Sequence, residues 1–211
     1  MDRLQANQVL DALAVLYPEA AAELHFSNPY ETLIAVILSA QCTDKRVNLV
    51  TERLFPQYPD AFAMAKLEPE ELEPMIRECG LYHNKAKNIV AASRALVEKY
   101  DGRVPSTRAE LMALPGVGQK TAGVVLLAAF GDDQIPVDTH VFRVSRRIGL
   151  ADGNTPEKVE EQLRALLDRD IWSLGHHLII WHGRRCCHAR KPECERCPLN
   201  DGLCEKNLEE K

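Results

Sequence analysis

At 211 residues the chain has room for one large or two small domains, each able to bury a core without covalent staples. Its composition, 45% hydrophobic, 27% charged and 6% aromatic, is that of a globular chain and excludes a disordered or membrane-embedded one. The net charge of −5 excludes a uniformly basic nucleic-acid binder, so any grip on phosphate must come from local cationic clusters. Three such clusters stand out: Arg143, Arg146 and Arg147; Arg184 and Arg185; Arg190 and Lys191.

The longest apolar run, residues 122–130, is far short of the roughly 20 residues a membrane helix needs, so no membrane partner is expected. The N-terminus places Asp2 and Arg3 ahead of alternating polar and apolar residues. It lacks an export signal, and a cytoplasmic location is expected. Seven cysteines in such a chain read as metal ligands and buried thiols rather than as a disulfide framework, and the odd number agrees.

Helix signals recur along the chain. Residues 4–16 carry apolar side chains at helical spacing. Asn28, Pro29 and Glu31 supply an N-cap, a first-turn proline and an acidic first turn for a helix expected to stay buried as far as Gln41. Further starts are expected at Thr43, Asp60, Asn84, Thr107 with Glu110 as a capping box, and Thr155 with Pro156 and Glu157. Stops are expected at Gly80, Gly102, Gly131 and Gly149. Strand signals are nearly absent and connectors are short, which makes the fold class all-α. Gly131 to Val137, with Asp132, Asp133 and Pro136, reads as a hinge between two helical lobes. The stretch from Cys186 to Cys204 reads as a separate appendage without a core of its own.

Residues 111–122, LMALPGVGQKTA, form a short helix, a turn through Gly116, Val117 and Gly118, and a second helix beginning near Gln119. Two glycines one residue apart allow unusual backbone angles and close approach. The amides at the following helix N-terminus can make a phosphate site that grips DNA without reading its sequence, although a GxG turn between helices is by itself usually just a tight connection. Lys120 falls in the first turn of that helix, where the positive end of the macrodipole disfavours a cation and should lower its pKa. A nucleophilic amine needs such a shift, although a solvated surface lysine would look the same locally.

Residues 137–144, VDTHVFRV, place Asp138 where it can cap a helix and also present a fixed carboxylate to developing positive charge. Cys187, Cys194, Cys197 and Cys204 follow a C-x6-C-x2-C-x6-C pattern. Four soft ligands so close together hold a metal or a cluster. Zinc with four cysteines is the alternative on ligand chemistry, although the two C-x2-C knuckles of a zinc ribbon are missing. Cys42 and Cys79 read as buried, inert thiols.

LPGVGQKTA resembles the helix-hairpin-helix of the endonuclease III family of DNA glycosylases, and VDTHVFRV resembles that family's second signature. Further blocks follow in the family's order: LSAQCTD, GLYHNKA, WHGRRC and the cysteine quartet. The resemblance implies a bifunctional glycosylase and AP lyase of base excision repair that removes oxidised or saturated pyrimidines and nicks the strand by β-elimination. It implies Lys120 as the Schiff-base nucleophile and Asp138 as the essential carboxylate. Gln41 and Leu81 would enter the duplex. Gly116, Val117, Gly118, Thr121, Arg190 and Lys191 would contact DNA.

A 4Fe-4S cluster on Cys187, Cys194, Cys197 and Cys204 is implied too, with one residue more than the family's pattern before Cys204. Cys186 fits that spacing less well than Cys187. The implied architecture is a six-helix lobe over residues 22–132 and a terminal lobe of residues 1–21 plus 133–211 carrying the cluster. The implied partner is double-stranded DNA with a damaged base or abasic site, met by a monomer and, in a bacterium, at the nucleoid. Gln119 and the Ser145-Arg146 pair depart from the family's usual residues and bear on DNA affinity. An adenine-mismatch branch lacks the lysine and uses a glutamate near the place of Ile37. A hairpin protein that only binds DNA would need neither Lys120 nor Asp138.

Overall fold

The computed structural model describes residues 1–205, and the described residues contain eleven α-helices and no strand. The expected all-α class is the one observed. The chain divides into two compact units, Ala22–Asp132 and Met1–Ala21 with Asp133–Lys211; residues 206–211 lie outside the described part. No helix among the described residues is long and apolar enough to cross a membrane.

The Ala22–Asp132 unit is built from α2 (Pro29–Leu38), α3 (Asp44–Leu54), α4 (Ala61–Met64), α5 (Pro69–Ile76), α6 (Tyr82–Tyr100), α7 (Arg108–Met112) and α8 (Gln119–Phe130). These are seven helical segments where six are expected, two of them, α4 and α7, only 4 and 5 residues long. The Asn28 side chain accepts the Glu31 amide and Pro29 opens the first turn, so α2 starts where its residues dictate. Helix α2 is buried on nearly all sides, which makes it the axis of the unit, packed against α8 and α6. Leu33, Ile34 and Leu38 meet a core that includes Leu96, Leu111 and Leu126.

Two boundaries differ from the sequence expectation. Helix α2 ends at Leu38, the Ser39 hydroxyl bonds back to the Val36 carbonyl, and the chain turns at Gln41 with φ 53°. Helix α6 begins at Tyr82, two residues before Asn84, because Leu81 enters it from a left-handed conformation with no side-chain cap.

The second unit holds α1 (Arg3–Leu16), α9 (Thr139–Ile148), α10 (Pro156–Leu166) and α11 (Trp172–Arg185). Asp2 and Gln5 form a capping box on α1. Helix α11 packs on α9 and α1 over a core that includes Val9, Leu13, Val141, Val144 and Leu178. The boundary between the units, Asp132/Asp133, falls inside the stretch read as a hinge, and the residues after it are anchored in this unit. Ile135 is fully buried, Arg164 bonds Gln134, and the Pro136 carbonyl lies 2.9 Å from His176 Nδ1. The cysteine-rich tail is not a separate appendage. Leu199 is fully buried in the same core, and Cys187, Cys197, Leu203 and Cys204 pack against it.

Candidate active site and metal centre

Thr107 accepts the Glu110 amide to start α7, and after Ala113 the chain turns through residues 114–118 into α8. Val117 is buried and its amide bonds the Leu114 carbonyl, which fixes the tip of the hairpin. The two glycines of the turn do different work. Gly116 has φ 79°, and a Cβ there would lie 2.7 Å from the Asn88 Cβ, so both backbone angle and space demand glycine. Gly118 is extended, with open space where its Cβ would be. As N-cap it offers no side-chain acceptor to the first amides of α8, which begins at Gln119. Lys120 is the second residue of α8 and is exposed, while Thr121 is half-buried. Gln41 and Leu81 are both exposed in the same unit, each in the left-handed backbone region.

Asp138 opens α9 in the other unit. One carboxylate oxygen accepts the His140 and Val141 amides at 2.8 Å each, and the second lies 3.2 Å from His140 Nδ1. The capping function is therefore real, and it leaves the side chain 12% exposed. His140 is the functional candidate that sequence reading passed over. Its signal was available: a histidine two residues after a capping aspartate can fold back on it.

Two of the arginines read as phosphate clamps are instead spent on the cysteine loop. Arg143 donates to the Gly183 and Cys187 carbonyls, and burial lowers its pKa. Arg147 donates to the His188 and Ala189 carbonyls and points Nη1 at Cys187 Sγ, 3.7 Å away. Arg185 lies over the Trp181 ring. Arg190 and Lys191 are exposed, Lys191 with φ 53°.

The quartet Cys187, Cys194, Cys197 and Cys204 lines one cavity, together with Cys186, His182 and Arg147. The donor set suits an iron–sulfur group: soft sulfurs converge on one space with a guanidinium beside them to balance thiolate charge. Ligand atoms of His182, Cys186 and Cys197 all lie within 4.8 Å of one another. Cys186, however, bonds the Glu193 carbonyl, and burial and then the Cys197 sulfur push its thiol up to about 12. The additional residue before Cys204 is taken up by a turn at Gly202, φ 100°, and the Cys204 amide closes that turn on the Leu199 carbonyl.

Residues 34–169 match the HhH-GPD superfamily of base excision DNA repair proteins, and the chain belongs to that superfamily. Residues 187–204 match the iron–sulfur binding domain of endonuclease III. Endonuclease III of Synechocystis sp. is 47% identical over 196 residues, covering 92% of this chain and 90% of the relative. That of Escherichia coli K12 is 46% identical over 205 residues, 97% of each chain. A trapped endonuclease III–DNA covalent intermediate superposes with a TM-score of 0.93 at 47% identity, covering 98% of this chain and 97% of that one. Within the superfamily the chain therefore falls in the endonuclease III family: a DNA glycosylase and AP lyase of base excision repair, acting on damaged pyrimidines, with an iron–sulfur cofactor.

Proposed function

We propose that Lys120 is the nucleophile of this reaction and Asp138 its acidic partner. The observation that carries this is the placement of Lys120: an exposed amine in the first turn of α8, directly behind a hairpin whose helix N-terminus has no side-chain cap. The amides at that N-terminus hold the lesion strand's phosphate while the amine sits one residue further on. Lys120 Nζ attacks C1′ of the deoxyribose and the damaged base departs with the glycosidic electron pair. The nitrogen then loses a proton and expels O4′, which departs as the 4′ hydroxyl, and the ring-opened imine so formed acidifies the C2′ proton. Its removal expels the 3′ phosphate, and water then releases the 3′ unsaturated aldehyde and regenerates the amine. Positive charge grows on the sugar in the first step, and the Asp138 carboxylate, oriented by two amides and His140, opposes it.

The target nucleotide has to leave the stack before C1′ can be attacked. Gln41 and Leu81, exposed on two loops of one unit, fill the space it vacates. Gly116, Val117, Gly118 and Thr121 grip the backbone at the hairpin, and Arg190 and Lys191 grip it from the cysteine loop. Cys187, Cys194, Cys197 and Cys204 hold a 4Fe-4S cluster, which when bound cross-links the loop that presents Arg190 and Lys191. The protein acts as a monomer on double-stranded DNA carrying an oxidised or saturated pyrimidine or an abasic site, and in a bacterial cell it works at the nucleoid.

Borohydride reduction during turnover of a duplex with an oxidised pyrimidine tests the central assignment. The wild type is expected to form a covalent protein–DNA adduct and Lys120→Ala none. An adduct that persists in the variant would overturn it.

A further inference from the structure

Lys85 lies near the start of α6 and is 4% exposed, an ammonium inside the core of the Ala22–Asp132 unit. A methionine would fill the same space without the desolvation of a charge. Burial accordingly lowers the lysine's pKa. What the amine does there is specific: Nζ donates to the Leu38 carbonyl and to the Cys79 carbonyl, each at 2.8 Å. Leu38 is the last residue of α2, and Cys79 is the last residue of the 3-10 turn Arg77–Cys79. Both carbonyls belong to helix C-termini, where partial negative charge collects and a cation is favoured.

From these two carbonyls the chain runs directly into the two exposed loops. Three residues past Leu38 comes Gln41, φ 53°; two residues past Cys79, after Gly80, comes Leu81, φ 49°. Non-glycine residues in the left-handed region persist only where the surroundings hold them there. One further tie acts on the Leu81 loop: the Lys85 amide donates to the Leu81 carbonyl at 3.0 Å.

We propose that Lys85 is a positioning residue for base extrusion: its buried ammonium fastens the Gln41 loop to the Leu81 loop, so that both side chains reach the emptied site of the duplex as one unit. This rests on the reading of Gln41 and Leu81 as the inserted pair. Without the tie, each loop relaxes independently and must be reordered when DNA binds. The loss therefore falls on lesion binding and KM, while the imine chemistry of Lys120 on a saturating abasic substrate is spared.

The test uses the cluster-loaded protein and a duplex with a tetrahydrofuran abasic analogue opposite 2-aminopurine, whose fluorescence rises when it is pushed out of the stack. Lys85→Met is expected to weaken Kd by about tenfold or more and to lower the fluorescence gain, with kcat on a natural abasic site within about twofold of wild type. Added to a Gln41→Ala/Leu81→Ala background it should cost little more, because the groups it positions are gone. Lys85→Arg, which keeps donors at this place, should recover part of the loss. Wild-type Kd and fluorescence in Lys85→Met, or full additivity with the double variant, overturns the proposal.

If Gln41→Ala and Leu81→Ala alone change neither binding nor fluorescence, the inserted-pair reading itself fails, which a normal response of those variants beside an unaffected Lys85→Met would not imply. Should Lys85→Met not fold, amide hydrogen exchange of Lys85→Gln, which removes the charge and shortens the reach to the two carbonyls, decides. Faster exchange confined to residues 39–43 and 79–82 supports the tie; unchanged exchange there, or a rise across the whole unit, overturns it.

Discussion

Asp138 and His140 form a closed local pair: the carboxylate caps α9 through the His140 and Val141 amides, and its second oxygen faces His140 Nδ1 at 3.2 Å. Capping and charge can be separated by substitution. Asp138→Asn keeps a good N-cap acceptor and loses the charge, so the melting temperature should stay close to wild type while kcat falls by about 100- to 1000-fold. Asp138→Ala loses the cap as well, at a further cost of about 1 kcal/mol in stability. Thermal melts and single-turnover nicking assays on both variants check this; equal activity of Asp138→Asn and wild type would reduce Asp138 to a cap.

The hairpin glycines should respond differently to the same change. Gly116→Ala must adopt φ 79° against Asn88 and should destabilise the protein by about 1–3 kcal/mol. Gly118→Ala meets nothing within 4 Å at an ordinary backbone angle. Its stability should be nearly unchanged, with the loss appearing in DNA affinity, where a methyl group stands between phosphate and the α8 amides. Denaturant melts paired with DNA titrations distinguish the two.

Five cysteines line the cavity, and serine substitutions separate ligands from bystander. Serine at Cys187, Cys194, Cys197 or Cys204 should bleach the brown colour expected of an iron–sulfur protein and lower the melting temperature. Cys186→Ser should remain brown, since that thiol is turned to the Glu193 carbonyl. Iron content and visible absorbance provide the readout; a colourless Cys186→Ser protein would place Cys186 among the ligands.

Burial lowers the pKa of His177 from 6.5. The unfolded chain then binds a proton at higher pH than the fold does, so stability is complete above about pH 6.5 and is lost as pH falls below it. His177→Gln removes this loss. The melting temperature of wild type should drop more steeply between about pH 7 and 5 than that of the variant; parallel curves would contradict the shift.

Local chemistry was readable wherever a single residue decides the outcome. Asn28, Asp60, Thr107, Asp138 and Thr155 all cap the helices their positions suggest, and Gly131 and Gly149 end helices in the left-handed conformation expected of glycine. What escaped depends on groups distant in sequence. Gln41 was placed at the end of a helix, whereas it sits in a turn whose anchor is an amine 44 residues later. Arg143 and Arg147 looked like phosphate ligands because their carbonyl partners, more than 35 residues ahead, leave no trace in local composition. The tail seemed coreless for the same reason: the core that receives Leu199 includes residues of α1.

The order of the two units along the chain also sets a schedule for synthesis. Residues 22–132 are contiguous and can close their core as they leave the ribosome, whereas α1 is made first and its partner α11 nearly last. Tyr17 meets His182 only 165 residues later, a wait of roughly 8–30 s at ordinary translation speeds. For most of that interval Val9 and Leu13 wait for core partners, the first after Tyr17 being Ile135. The unit that receives iron is thus the last to fold, and its cysteines emerge when everything they must join is already made.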